Sequence, residues 1–396
     1  MSLQVLTPML VQPTLTKAFA EPSLAFCYAL SEAIFADPRS RQFADLAALA
    51  FWLRKANIQR LIAPYQQDNL LYKPLGLVFH NTPANVDSLF VYSGILSLLM
   101  GNRNIIRLSS RAGGSAMVLV EILTSLADSY PEQVSRLQLV QCEHHAAELS
   151  AISAMADARV LWGSDVAIKA LRAFDCPAHC RDLVFNHKLS LVVLDASALI
   201  AADEQDFVAL LDNFCRDNLT FAQQACSSAK VVVWVGNQAQ VLRAQQRFWP
   251  AFASKALIVR EPLTDAEHFD ALARAQQLLI QDPSAKSLTI CEPMVRVAVE
   301  QLTAEQVKLN SGNGLFLELI TPELAQLTPM LRHCHQTVSW WGLDPQLVDD
   351  WFQGVLIGID RLVPVGEALM FDHLWDGHDL VLSLSRVTRN KLAKCS

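Results

Sequence analysis

Residues 74–108 read PLGLVFHNTPANVDSLFVYSGILSLLMGNRNIIRL. The opening PLGLVFH is short and apolar through Val78 and Phe79 up to its final His80, the pattern of a strand buried on both faces. NTPAN, residues 81–85, has the proline and asparagines of a turn. An apolar helix is expected over 86–100 and a second strand over 104–108, closed by the polar SSRAGG. Strand, helix, strand in that order builds a parallel pair with a right-handed crossover. The pattern continues, with strands expected at 137–141, 159–162 and 191–194 and helices at 115–129, 143–155 and 166–174. Beyond residue 210 a second series follows. Its strands are expected at 231–235, 256–259, 288–291, 307–309 and 315–320, and its helices at 203–218, 239–248 and 264–280. Alternation of this kind specifies an α/β fold with parallel sheets covered on both faces. The expected units are 1–210 and 211–396, with the C-terminal segment able to return to the first. Residues 1–40, with four prolines at 8, 13, 22 and 38, read as irregular, and 41–63 as one amphipathic helix.

The 396 residues are too many for one small core. A hydrophobic fraction of 52% with 18% charged residues describes a well-buried globular chain. The net charge of -7 and the lack of Lys/Arg runs exclude nucleic acid as the main partner. The longest apolar stretch, 89–100, is interrupted by Ser and Gly and falls short of the roughly 20 residues of a membrane span. The N-terminus lacks the charged head, apolar centre and cleavage site of a secretion signal, so a cytoplasmic protein is expected. Nine cysteines show no CxxC pair. Cys176 and Cys180 flank His179, but no second ligand pair follows at zinc-site spacing, so no metal is expected.

One cysteine stands apart. In FAQQACSSAKVVVWVG, residues 221–236, Cys226 sits among small neighbours just before an apolar strand. A thiol there is either a small core residue or a nucleophile, since its thiolate is the reactive form. Ligands of parallel sheets bind at the carboxyl ends of strands. The turn after Phe79, the loop after Leu108 and the turn Gly163-Ser164 therefore form the candidate rim. No GxGxxG follows any strand, so a dinucleotide would be held in another manner.

Four segments in order carry a resemblance: GLVFHNTPANV (76–86), YSGILSLLMGNRNIIRLSSR (92–111), QQACSS (223–228) and RLVPVGEALMFDHLWDGHDLVLSLSR (361–386). Together they resemble the LuxC family, the acyl-CoA reductases of bacterial luminescence, within the aldehyde dehydrogenase superfamily. The resemblance implies two Rossmann-like α/β domains with the active site between them. It also implies NADPH-dependent reduction of an activated fatty acyl group, from acyl-CoA or an acyl-loaded protein, to the aldehyde. A homo-oligomer and an acyl-protein synthetase partner are further family traits. The first 65 residues do not match well, so the acyl donor and chain length stay open. A cysteine acyl-transfer module without reduction, or a non-catalytic homologue, remain the alternatives.

By the resemblance, Cys226 is the nucleophile and Asn85, in the Pro-x-Asn turn, is an oxyanion donor beside the Cys226 N–H; Asn85 otherwise reads as a helix cap. Arg107, Ser109 and Ser110 fall where the superfamily holds the adenosine ribose. A serine there, with Arg111 close by, suits a 2′-phosphate and hence NADPH, or the loop is simply a basic surface turn. Gly163 and Ser164 resemble the Gly-Ser turn at the cofactor pyrophosphate, or form a plain N-cap. Glu318 resembles the glutamate of the nicotinamide ribose, or is a structural carboxylate. Hydrolytic relatives carry a glutamate in Glu-Leu-Gly-Gly. The comparable DLVFNHKLS, 182–190, has none and offers His187 as a proton donor to the departing thiol, against an ordinary surface histidine. Trp375, Asp376 and Gly377 match a family motif and read as a turn with a packing role.

Overall fold

The computed structural model describes residues 3–66, 70–82, 89–109, 114–142, 147–259, 263–310 and 312–389. The chain divides into two compact units, one of residues 1–186 with 371–396, the other of residues 187–370. The division falls after Asn186, well before residue 210. The reason is strand pairing: the strand that starts at Leu189 joins its downstream partners and none upstream.

The first unit contains β1 (Gln4–Val5), β2 (Leu70–Pro74), β3 (Leu77–Asn81), β4 (Arg103–Leu108), β5 (Leu137–Gln141), β6 (Ala158–Trp162) and β7 (Arg181–Phe185). Its six-stranded sheet has the order β1-β5-β4-β3-β6-β7. Only β1 runs antiparallel. The strand order reverses direction at β3, so β3 and its neighbours β4 and β6 surround a topological switch point. Residues 1–40 are not irregular throughout. Glu21–Ala36 is a helix whose Phe26, Cys27, Leu30 and Ile34 are fully buried. Pro22 lies in its first turn, where no N–H is needed, and so starts the helix instead of breaking it. The single helix expected over 41–63 is two, Ala44–Trp52 and Lys55–Ile62, parted where Arg54 turns extended.

The second unit holds β8 (Leu189–Asp195), β9 (Ala229–Val235), β10 (Ala285–Cys291), β11 (Met294–Val299), β12 (Leu315–Thr321), β13 (His335–Trp341) and β14 (Arg361–Pro364). Their order is β10-β11-β12-β9-β8-β13-β14, parallel except for the β10/β11 hairpin. Alternate residues serve opposite faces. Leu191, Val193, Val231, Val233 and Leu317 pack with Ala271, Ala275 and Leu278 of the helix Asp265–Gln281. Val192, Leu194, Val232, Trp234 and Phe316 meet an aromatic layer of Phe214, Phe248, Trp249 and Phe252 from the helices Glu204–Leu219 and Gln238–Val259. Two expected strands are helical. Residues 256–259 end the helix Gln238–Val259, which runs on past Pro250, and 307–309 belong to the helix Ala304–Leu309.

The chain then returns to the first unit with β15 (Leu374–Trp375), β16 (His378–Asp379) and β17 (Ser385–Arg389). β17 pairs antiparallel with β2. Asp376 and Gly377, at φ 50° and 73°, form the two-residue turn between β15 and β16. Positive φ at both central residues is the type I′ hairpin requirement, which explains Asp-Gly there.

Candidate active site

Cys226 lies in the loop between the helix Glu204–Leu219 and the central strand β9. The loop is held in a strained shape. Ala222 and Gln223 adopt φ of 52° and 62°, a left-handed pair without glycine. Gln223 holds the strain in place. Its buried amide donates to the carbonyls of Ala229 (2.8 Å) and Leu315 (3.1 Å) and accepts from Gly314 N (2.9 Å). Asn313 N donates to the Ala222 carbonyl at 2.9 Å. Gly312, at φ 80°, runs so close that an added Cβ would stand 2.7 Å from the Gln223 carbonyl oxygen.

Cys226 itself is half-buried. Its carbonyl accepts from Ser190 Oγ, on β8, at 2.6 Å. Ser228 Oγ donates to the Asp217 carbonyl at 2.6 Å. The Asp217 carboxylate accepts from Gly366 N (2.6 Å) and Ala368 N (3.1 Å), and burial pushes its pKa up to about 6. Arg361 donates to the carbonyls of Glu367, Ala368 and Met370. The segment RLVPVGEALM thus folds on itself and reaches the cysteine loop through Asp217 and Ser228. Beneath the loop lies Lys230, a buried lysine at the start of an apolar strand. Its ammonium donates to the carbonyls of Gln223, Ala225 (3.0 Å) and Ser228. Lys230, Asp217 and Ser190 were not among the sequence candidates. The one available signal was a lone lysine in AKVVVWV, which a buried strand keeps only with partners.

His187 is exposed at the start of the second unit, three residues before Ser190. Glu318 is buried inside that unit. Its Oε1 accepts from Trp234 Nε1 (2.9 Å), Trp249 Nε1 (2.7 Å) and Gln245 Nε2 (2.8 Å), and its Oε2 pairs with Arg296 at 3.0 Å. Four donors occupy this carboxylate, so it is a packing hub of the aromatic layer.

In the first unit, the carboxyl ends of four strands are laced together. Asn81 Nδ2 donates to the Trp162 carbonyl (3.2 Å), and Arg107 Nη1 donates to Asn81 Oδ1 (3.2 Å). Arg107 Nε and Nη2 both reach the Cys142 carbonyl, at 3.2 and 3.0 Å. Arg107 is buried, and desolvation pulls its pKa down. Its hydrogen-bond partners among the described residues are neutral. Ser109 is buried beside it, with its carbonyl accepting from Gln141. Asn85, Ser110 and Arg111 lie outside the described residues. Ser164 caps the helix Asp165–Arg172, accepting from Ala167 N at 3.3 Å, while Asp165 adds a negative charge to the same turn. Gly163 N bonds the Phe185 carbonyl. His179 is paired with Asp157 at 2.8 Å, and no cluster of metal-ligand type occurs among the described residues.

A family model described as Acyl-CoA reductase (LuxC) matches residues 53–390. The chain belongs to the LuxC family. Membership makes it an oxidoreductase of acyl or aldehyde groups. A search of curated proteins finds no match. Solved aldehyde dehydrogenases share the fold of this LuxC-family chain. Lactaldehyde dehydrogenase from Escherichia coli is 14% identical with a TM-score of 0.65, over 93% of this chain and 86% of that one. A putative aldehyde dehydrogenase from Burkholderia cenocepacia is 13% identical, with TM-score 0.68 and coverages of 94% and 86%. A 1-pyrroline-5-carboxylate dehydrogenase from Thermus, with bound NAD, is 12% identical, with TM-score 0.67 and coverages of 93% and 80%. The LuxC-family chain is therefore α/β and aldehyde dehydrogenase-like. No helix among its described residues is long and apolar enough to cross a membrane.

Proposed function

We propose that this chain reduces a fatty acyl thioester to the aldehyde with NADPH through an acyl-enzyme on Cys226. The observation that carries the reading is the cysteine loop: a half-buried thiol on a strained backbone, braced from below by Lys230 and from β8 by Ser190. In the first step the Cys226 thiolate bonds to the thioester carbonyl carbon, and the carbonyl electron pair moves to oxygen. The Cys226 N–H and, by its place in the family-like turn, Asn85 stabilise that oxyanion; one such donor is worth about 3 kcal/mol. Collapse breaks the bond to the donor sulfur, which leaves as a thiol after protonation, with His187 as the proton donor. Reduction of the Cys226 thioester then forms a second oxyanion in the same place, and its collapse releases aldehyde and the thiolate. Sulfur suits both roles, being nucleophilic near neutral pH and a good leaving group.

NADPH, when bound, supplies the hydride equivalent. The residues of the first unit fit it. Arg107 is a buried cation at the switch point of the sheet whose acceptors among the described residues are neutral, and a buried positive charge there favours a phosphate nearby. Ser109 and Ser110 keep their place in that reading, as do Gly163 and Ser164 at the pyrophosphate, while Glu318 does not. The NAD bound to the Thermus dehydrogenase supports a nicotinamide cofactor on this fold. The acyl donor is a fatty acyl-CoA or an acyl-loaded partner such as an acyl-protein synthetase, and the enzyme works in the cytoplasm as a homo-oligomer.

Intact-mass spectrometry with a panel of acyl-CoAs tests the reading. An acyl adduct on wild type that is absent from Cys226→Ala, with NADPH oxidation and aldehyde formation, supports it. An adduct without NADPH oxidation would make the chain an acyl-transfer module, and adduct formation unaffected by Cys226→Ala would overturn the nucleophile.

A further inference from the structure

Lys230 is a buried charge that takes no part in the steps of the proposed reaction. Its side chain is sealed under the loop 220–228, and no carboxylate pairs with it among the described residues. All three of its acceptors are carbonyls of that loop, those of Gln223, Ala225 and Ser228. A buried ammonium is costly, and neutral carbonyls compensate it only in part.

The Ala225 carbonyl is the informative partner. It belongs to the same peptide plane as the Cys226 N–H, and that peptide is trans. In a trans peptide the C=O and N–H point in opposite directions. Fixing the carbonyl inward on Lys230 therefore turns the Cys226 N–H outward, away from the core. The next peptide is fixed independently, since the Cys226 carbonyl accepts from Ser190 Oγ at 2.6 Å. The Ala225–Cys226 peptide is thus held by Lys230 together with a turn bond from the Ser228 N–H to the Ala225 carbonyl at 3.1 Å, and the next peptide by Ser190.

We propose that Lys230 is a positioning residue for the nucleophile: seated on the carbonyls of Gln223, Ala225 and Ser228 on both sides of Cys226, it presents the Cys226 N–H to the developing oxyanion and sets its positive charge inside the loop that carries the sulfur, which favours the thiolate. The inference rests on the reading of Cys226 as the nucleophile. Among the described residues, Cys226 is the titratable neighbour whose charge acts on Lys230, and it pulls the lysine pKa up against burial, which pushes it down to about 8. Coupling of this kind is mutual, so an ammonium at Lys230 stabilises negative charge at Cys226 to the same degree.

The test is the pH profile of iodoacetamide alkylation at Cys226, read by peptide mass spectrometry, which needs no acyl donor. Lys230→Met is expected to raise the alkylation midpoint by about one pH unit or more and to slow acylation by acyl-CoA roughly 100-fold. Lys230→Arg keeps the charge and is expected to leave the midpoint near wild type. A midpoint in Lys230→Met equal to wild type overturns the proposal. Should Lys230→Met fail to fold, 13C NMR of the lysine side chain in wild type and Cys226→Ala decides instead. A Lys230 titration that moves to lower pH in Cys226→Ala supports the coupling, and one that stays in place overturns it. Absence of any acyl adduct on wild type counts against the proposed function alone, because the alkylation profile reads the lysine–cysteine coupling separately.

Discussion

Ser190 Oγ donates to the carbonyl of Cys226 at 2.6 Å and accepts from the backbone N–H of Thr337 at 3.2 Å. One hydroxyl at the beginning of β8 thereby joins the cysteine loop to the sheet on either side. Ser190→Ala leaves a buried carbonyl and a buried N–H without their partner. The expected cost is about 1–3 kcal/mol in urea unfolding. Acylation of Cys226 should slow by about tenfold or more, because the Cys226 carbonyl loses its side-chain donor. An adduct rate equal to wild type would remove Ser190 from the account of the site.

Glu318 separates a structural from a cofactor role. Its carboxylate closes a network of two indoles, an amide and Arg296. Glu318→Gln leaves the half-buried Arg296 guanidinium without its anion and sets an amide N–H against other donors. A loss of about 3 kcal/mol or more is expected, with the KM for NADPH unchanged. The opposite result, intact stability with a large rise in that KM, would return Glu318 to the nicotinamide ribose.

Gly312 tests the strained loop from the other side. It approaches Gln223 where a Cβ would overlap the carbonyl oxygen, and its φ of 80° disfavours any L side chain. Gly312→Ala should destabilise the second unit by about 1–3 kcal/mol and reduce acylation, because Gln223 and Ala222 must move to admit the methyl. Urea unfolding with the adduct assay on the same samples checks both. Unchanged stability would show that the loop is not held by this contact.

The α/β alternation was legible because buried parallel strands are short unbroken apolar runs, as in LVFH and VVVWV. Where the sequence misled, a local signal had a second physical meaning. Pro22 looked like a breaker and is a helix starter. The apolar residues at 256–259 looked like a strand and finish a helix, with Leu257 and Ile258 left exposed. Cys226 could be singled out by its small neighbours, whereas of its supports only Lys230, a lone lysine in an apolar strand, left any signal. Ser190, Asp217 and Lys230 are far apart or unremarkable along the chain and meet only when β8, β9 and the helix Glu204–Leu219 assemble. Glu318 shows the converse. A carboxylate at a plausible position can be claimed by two tryptophans that no spacing rule connects to it.

Acid sensitivity follows from two buried histidines. His80 lies between Ser93 Oγ (3.1 Å, at Nδ1) and Asn104 Oδ1 (3.0 Å, at Nε2), and burial pulls its pKa from an ordinary 6.5 to about 4. His335 Nδ1 accepts from Arg332 N at 2.8 Å, and burial, aided by the charges of Arg332 and Lys188, likewise lowers it to about 4. Both rings are neutral in the fold. Below pH 6.5 the unfolded chain takes up protons that the folded chain refuses, so this stability is present above 6.5 and is lost as the pH falls through 4. The gap corresponds to roughly 3 kcal/mol for each histidine. A proton on His335 Nδ1 would also face the Arg332 N–H and break that bond. Urea unfolding at pH 7, 5.5 and 4.5 should therefore show falling stability. Asp217, whose pKa in the fold is raised to about 6, acts in the opposite sense over the same range and offsets part of the loss. In His335→Asn, whose side-chain oxygen can still accept from Arg332, the fall should shrink by about 2–3 kcal/mol. An unchanged slope in that variant would place the acid sensitivity elsewhere.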